Sequence, residues 1–174
     1  MLFGAFIFAA GLFAWTMLEY AIHGWMGHRM AGAVQRMHAA HHRDPARVFA
    51  VGAWPPVAAA LIAAVYFGGF SSATIFLLGA AAGFAVYEIE HYRIHFARPA
   101  CAYEARMRAR HLGHHYAAPG RCFGVTVAWW DRVFGSEAPA RETARMIAAE
   151  PSIAPLAGRS NLGRIIRRSG LRRA

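Results

Sequence analysis

The chain has 174 residues, 57% hydrophobic and only 16% charged, with a formal net charge of +10. That length suits one domain, and so apolar a composition leans toward a membrane protein rather than a soluble one. The positive charge is all arginine and avoids the apolar stretches, which points to a membrane surface and argues against nucleic acid as a partner.

Residues 1–18 carry no charge, and a helix entering at Phe3 meets no breaker before His23. This is about the length that crosses a hydrocarbon core. A cleaved signal peptide is the rival reading, but the positive n-region it needs is missing. From Val48 to Tyr87 forty residues are uncharged, enough for two short spans. Gly68-Gly69-Phe70-Ser71-Ser72 supplies a turn between them, and Pro55-Pro56 lies near the start of the first arm, where proline costs least. The expected arms are Val48–Phe67 and Ala73–Tyr87. Such a hairpin returns to the side it left, so histidines before and after it should lie at one membrane face. All nineteen arginines, starting at Arg29, fall in segments assigned to that side, which the positive-inside rule makes cytoplasmic.

Residues 88–135 read as short amphipathic helices capping the bundle. Ser136–Leu156 reads as a loosely attached tail. The end, from Arg164, is a small basic segment suited to anionic lipid or to a solvated tail. The expected architecture is therefore all-α: an integral membrane helical bundle with a cytoplasmic helical cap that holds a histidine-rich dimetal site. Residues 1–136 form the membrane domain and 137–174 a basic cytoplasmic tail. Two cysteines, Cys101 and Cys122, are too few for a disulfide scaffold and read as idle or buried thiols. They flank a histidine cluster, which leaves a redox or ligand role as the alternative.

All ten histidines fall into four clusters: His23/His28, His38/His41/His42, His91/His95 and His111/His114/His115. Spacings of three and four place two rings on one helix face. In HxxHH the adjacent pair diverges by about 100° around the helix and can address two different ions. The five-residue gap of His23/His28 needs a bend, which Gly24 and Gly27 permit. Imidazole suits iron, zinc, copper and nickel, and ten ligands exceed what one ion takes. Isolated histidines in a core, or a pH-sensing cluster, would not need this paired spacing. The reading is a paired metal site of all ten. The donor set suits a redox metal that handles dioxygen, and zinc as well.

These clusters come with Trp15-Thr-Met-Leu-Glu19-Tyr20, with Tyr87-Glu-Ile-Glu-His91-Tyr92-Arg-Ile-His95-Phe96, and with Phe123-Gly-Val-Thr-Val-Ala-Trp-Trp130-Asp131-Arg-Val-Phe134-Gly135. The combination over residues 10–136 resembles the fatty acid hydroxylase (sterol desaturase-type) superfamily of membrane di-iron enzymes, and within it the fatty acid 2-hydroxylase branch. The resemblance implies two irons held by the ten histidines, dioxygen as co-substrate, and hydroxylation of a lipid acyl chain at the carbon next to the carboxyl. It also implies electrons from a ferredoxin- or cytochrome-type partner, with zinc an alternative occupant in isolated protein. A sterol or carotenoid oxidase of the same superfamily and a non-catalytic membrane metal-binding protein are the alternatives. A bacterial inner membrane, with the histidines cytoplasmic, is the expected location. Glu19, Glu88 and Asp131 are candidates to orient imidazoles from behind. Trp25, Tyr92, Phe96, Tyr116, Trp129 and Trp130 are candidates to shape an acyl channel, with interfacial anchoring as their other use.

Overall fold

The structure is a computed structural model and describes residues 2–139 together with 141, 142 and 145. The basic segment from Arg164 lies outside the described residues. Among those described, the regular structure is entirely helical. The chain forms two compact units, Met1–Ile89 and Glu90–Ala174.

In the first unit, α1 (Leu2–Ala21) runs on into a π-helical turn, Ile22–Gly27. Together these 26 residues are long and apolar enough to cross a membrane. After a short loop comes α2 (Ala33–Arg43). Two 3₁₀ turns, Pro45–Arg47 and Val51–Ala53, lead into α3 (Trp54–Gly68), with prolines in its first turn, where their missing N–H groups cost nothing. Helix α3 alone is about 22 Å long, less than a hydrocarbon core. With the turns before it, the apolar stretch Pro45–Gly68 reaches 24 residues. Gly69, at φ 55°, ends the helix in the left-handed region that glycine adopts freely. Thr74 Oγ1 donates to the Ala64 carbonyl at 3.2 Å and ties the second arm to the first.

That second arm is α4 (Ser72–Phe96), the third candidate span, and it is longer than the expected Ala73–Tyr87. Residues 88–96 hold charges but neither glycine nor proline, so nothing stops the helix before Pro99. Helix α1 packs on α4 through glycines. A Cβ on Gly11 would collide with the Phe76 carbonyl oxygen, and one on Gly79 with that of Phe8. A Cβ on Gly83 would lie 2.6 Å from Cβ of Trp15. Such backbone approach gives the dispersion contact that holds helices together where lipid removes the hydrophobic drive. Trp15 and Trp54 pack on Phe84, with ring centroids 5.0 and 4.5 Å away.

The second unit begins with the charged end of α4. The Arg108 guanidinium donates to the carbonyls of Ile94 and Ala97 there and satisfies a helix end that would otherwise be open. Helix α5 (Ala102–Tyr116) carries Glu104 in its first turn, where the helix dipole favours a carboxylate. Glu104 accepts from Ala100 N at 2.8 Å and pairs with Arg93 at 2.9 Å. A loop then leads to the short α6 (Trp129–Val133). The core here is Ala105, Met107, Ala109, Cys122, Phe123, Val125 and Ala138 around a buried ion pair, Arg110 with Asp131 at 2.9 Å. Ser136, Glu137 and Ala138 differ from the loose tail expected from composition. Ser136 and Ala138 are buried, the Ser136 carbonyl accepts from Cys122 N, and Glu137 pairs with Arg110 and Arg132.

Candidate metal centre

In the first unit the π-helical turn resolves the five-residue gap. A π-turn bonds residue i to i+5, so it brings His23 and His28 onto one side without the sharp bend expected from Gly24 and Gly27. Their ring centroids are 5.6 Å apart. Helix α2 supplies His38 and His42 at i, i+4, with centroids 4.4 Å apart. A Cβ on Gly27 would lie 3.1 Å from the His38 ring, so glycine makes room for it. Ligand nitrogens of His23, His28, His38 and His42 all lie within 4.8 Å of one another. Nε2 of His28 and of His38 are 2.7 Å apart, a distance that one hydrogen bond can also explain.

The second unit shows a pattern hydrogen bonding cannot explain. His91 and His95 project from α4, and His111 and His115 from α5, each pair at i, i+4. Nε2 of His111 has Nε2 of His91 at 3.0 Å, of His95 at 3.0 Å and of His115 at 3.1 Å. A ring nitrogen carries one hydrogen or one lone pair, so at most one of these three contacts can be an ordinary hydrogen bond. A metal ion could be held by all four nitrogens. With metal–nitrogen bonds of about 2.1 Å, ligands at right angles sit about 3.0 Å apart and tetrahedral ones about 3.4 Å. The observed separations match the right-angled case.

Electrostatics agree. Burial holds His111 well below its ordinary value, helped by His91, His115, His95 and His114 around it. Burial also lowers His41 to about 4, against the Arg47 backbone and Asp44, which act to raise it. His42 falls to about 4 through burial and then His28 and His41, and His28 is lowered by burial and by Arg29. Rings kept neutral at pH 7 keep the lone pair that a metal needs. His114 is fully buried, and its Nδ1 lies 2.8 Å from the Arg121 carbonyl. A carbonyl only accepts, so Nδ1 carries the hydrogen and Nε2 the lone pair.

The family model for fatty acid hydroxylase matches residues 8–136. The chain belongs to the fatty acid hydroxylase family. Curated members similar to it include the ceramide very long chain fatty acid hydroxylase scs7 of Schizosaccharomyces pombe, 30% identical over 76% of this chain and 42% of that one. The dihydroceramide fatty acyl 2-hydroxylase FAH1 of Arabidopsis thaliana is 28% identical over 78% of this chain and 64% of its own. The fatty acid 2-hydroxylase of Homo sapiens is 29% identical over 76% and 40%. The chain thus spans less than two thirds of the length of these relatives. Among solved structures, full-length scs7p with only its hydroxylase domain visible aligns with a TM-score of 0.65 at 25% identity, over 79% of this chain and 57% of that one.

The remaining expected residues of this hydroxylase-family chain fall as follows. Glu19 is buried one turn before His23. Both oxygens of Glu88 lie 3.2 Å from Ala50 N, and Trp54 donates to the same carboxylate. Asp131 binds Arg110 and loop backbone. Trp25, Tyr92, Phe96, Tyr116 and Trp129 are about half exposed or more, and the Trp130 ring stacks on Phe134. Phe96 sits beside His95 and Tyr116 beside His115, with centroids 5.8 and 5.7 Å apart. Sequence reasoning missed Arg110, the largest fully buried side chain, although it stands four residues before His114 on the same helix face. It also missed the Arg121 carbonyl, for which no side-chain signal exists.

Proposed function

We propose that the chain is an O2-dependent di-iron monooxygenase that hydroxylates a lipid acyl chain at the carbon next to the carboxyl. The observation that carries this is the convergence of three imidazole nitrogens on Nε2 of His111. The regiochemistry rests on the similar fatty acid 2-hydroxylases. All ten histidines are the proposed ligands: one ion in the set His23, His28, His38 and His42, one in the set His91, His95, His111 and His115, with His41 and His114 completing the ten. Bound there, a pair of redox-active ions would activate dioxygen, the oxidant, so that one of its atoms enters a C–H bond and the other leaves as water with two electrons and two protons taken up.

The protein's own part is to hold neutral imidazoles in place and to seat the substrate. Phe96 and Tyr116, exposed beside ligand rings, offer apolar surface along which an acyl chain can lie. The spans leave the rest of the substrate in lipid. Electrons come from a ferredoxin- or cytochrome-type donor that docks on exposed arginines such as Arg29 at the cytoplasmic face of a bacterial inner membrane.

The test is iron-loaded protein in lipid nanodiscs, given fatty acyl and ceramide substrates, a ferredoxin reducing system and ¹⁸O2. A 2-hydroxylated product carrying one ¹⁸O, with a rate that falls as salt rises, is expected. Product labelled from water, or turnover without dioxygen, would refute a monooxygenase.

A further inference from the structure

Asp131 is completely buried, and its hydrogen bonds go to backbone amides, a hydroxyl and Arg110. Its Oδ1 accepts from Phe123 N at 2.8 Å and from Ser136 Oγ at 2.7 Å, and its Oδ2 from Gly124 N at 3.0 Å and from Arg110 at 2.9 Å. One carboxylate therefore pins two consecutive backbone amides of a loop to α5. A Cβ on Gly124 would strike the Val127 carbonyl oxygen, so that loop has no slack. Cys122, just before it, sits at φ 60°, a left-handed conformation that a non-glycine residue holds only when its surroundings impose it. Its N–H is fixed to the Ser136 carbonyl at 2.9 Å. Next to Cys122 is Arg121, whose carbonyl accepts the Nδ1 hydrogen of His114. The other end of the ion pair, Arg110, stands one helical turn before His114.

We propose that Asp131 is a positioning residue for His114. Its charge, balanced by Arg110, fixes the loop carbonyl that selects the His114 tautomer and leaves Nε2 free to ligate. The chain of influence runs from Asp131 through the Phe123 and Gly124 amides to the Arg121 carbonyl and the imidazole. This rests on the reading of His114 as a ligand.

The experiment uses full-length apoprotein in detergent, titrated with Co²⁺ and followed by its absorption bands. The variants are Asp131→Asn, Ser136→Ala, His114→Ala and the double variant His114→Ala/Asp131→Asn. In Asp131→Asn an amide NH2 must face either an amide N–H or Arg110, so the clamp loosens while its shape persists. The expected result is affinity about ten- to a hundredfold weaker, as for other partners that orient ligands, with shifted bands and unchanged circular dichroism. Ser136→Ala, which removes one donor to the carboxylate, should weaken binding a few-fold in the same direction. In the His114→Ala background Asp131→Asn should have no further effect, whereas a merely structural role would add its loss unchanged. Wild-type affinity and bands in folded Asp131→Asn would overturn the proposal. So would unchanged binding in Ser136→Ala if Asp131→Asn does not fold. Co²⁺ binding indifferent to His114→Ala would instead remove the ligand reading, and the proposal with it.

Discussion

The two four-histidine sets reach similar ends by different means. The first hangs on a π-helical turn and the short α2, and three of its four rings are half-buried. The second stands on two long helices at regular i, i+4 register, with His91 and His111 buried and a buried ion pair one turn behind. Regular helices place ligands by geometry that exists before any metal arrives. A π-turn is rare overall and frequent at functional sites, so it persists where neighbours or a ligand hold it. The second set should therefore be the preorganised one and the first the more dependent on its ion.

The sharpest way to break this contrast is at the hub. His111→Ala removes the nitrogen on which three others converge. Activity should fall by more than the ten- to hundredfold that loss of an outer partner costs, that is by over about a hundredfold, measured as hydroxylated lipid per unit time. Equal activity in that variant would show that the convergence is incidental. Next in size is the glycine crossing that sets the first unit. Gly79→Val places side-chain atoms against the Phe8 carbonyl and should cost about 1–3 kcal/mol, read as lower thermal stability in detergent.

Acid should tell the sets apart from the unfolded chain. His41 and His42 are held at about 4 in the folded protein and sit near 6.5 when unfolded. Below about pH 6.5 the unfolded chain takes up protons that the folded one refuses. Apoprotein stability is therefore full above that pH and falls as the pH drops toward about 4, seen as a steadily lower melting temperature. Stability that rises on acidification would contradict the neutral, buried state of these rings. The smallest effect is expected from Gly27→Ala. Its Cβ lies 3.1 Å from the His38 ring, so a shift of a few tenths of an ångström suffices, and metal affinity of the first set should weaken a few-fold at most.

Much of this was legible in the sequence because histidine spacing and hydropathy are local signals. The i, i+4 pairs of the second set follow from spacing alone, and the turn at Gly69 from the glycine and serine residues that form it. The uncharged stretches marked three spans, although not where α4 would stop, since charge ends a span but not a helix. The π-turn at His23–His28 was foreshadowed only by its awkward gap, because backbone irregularity has no residue code. Least visible was the clamp behind His114. It joins Arg110, Asp131 and Ser136 from segments up to 26 residues apart through a carbonyl that every residue possesses.

The most direct measurement is the metal content per chain of protein loaded with iron under anaerobic conditions, compared among wild type, His28→Ala and His111→Ala. Two irons in wild type and about one in each variant is the expected result, with the ion remaining in His28→Ala the more tightly held. Two irons retained in both variants, or a single iron lost equally from either, would contradict two separate four-histidine seats.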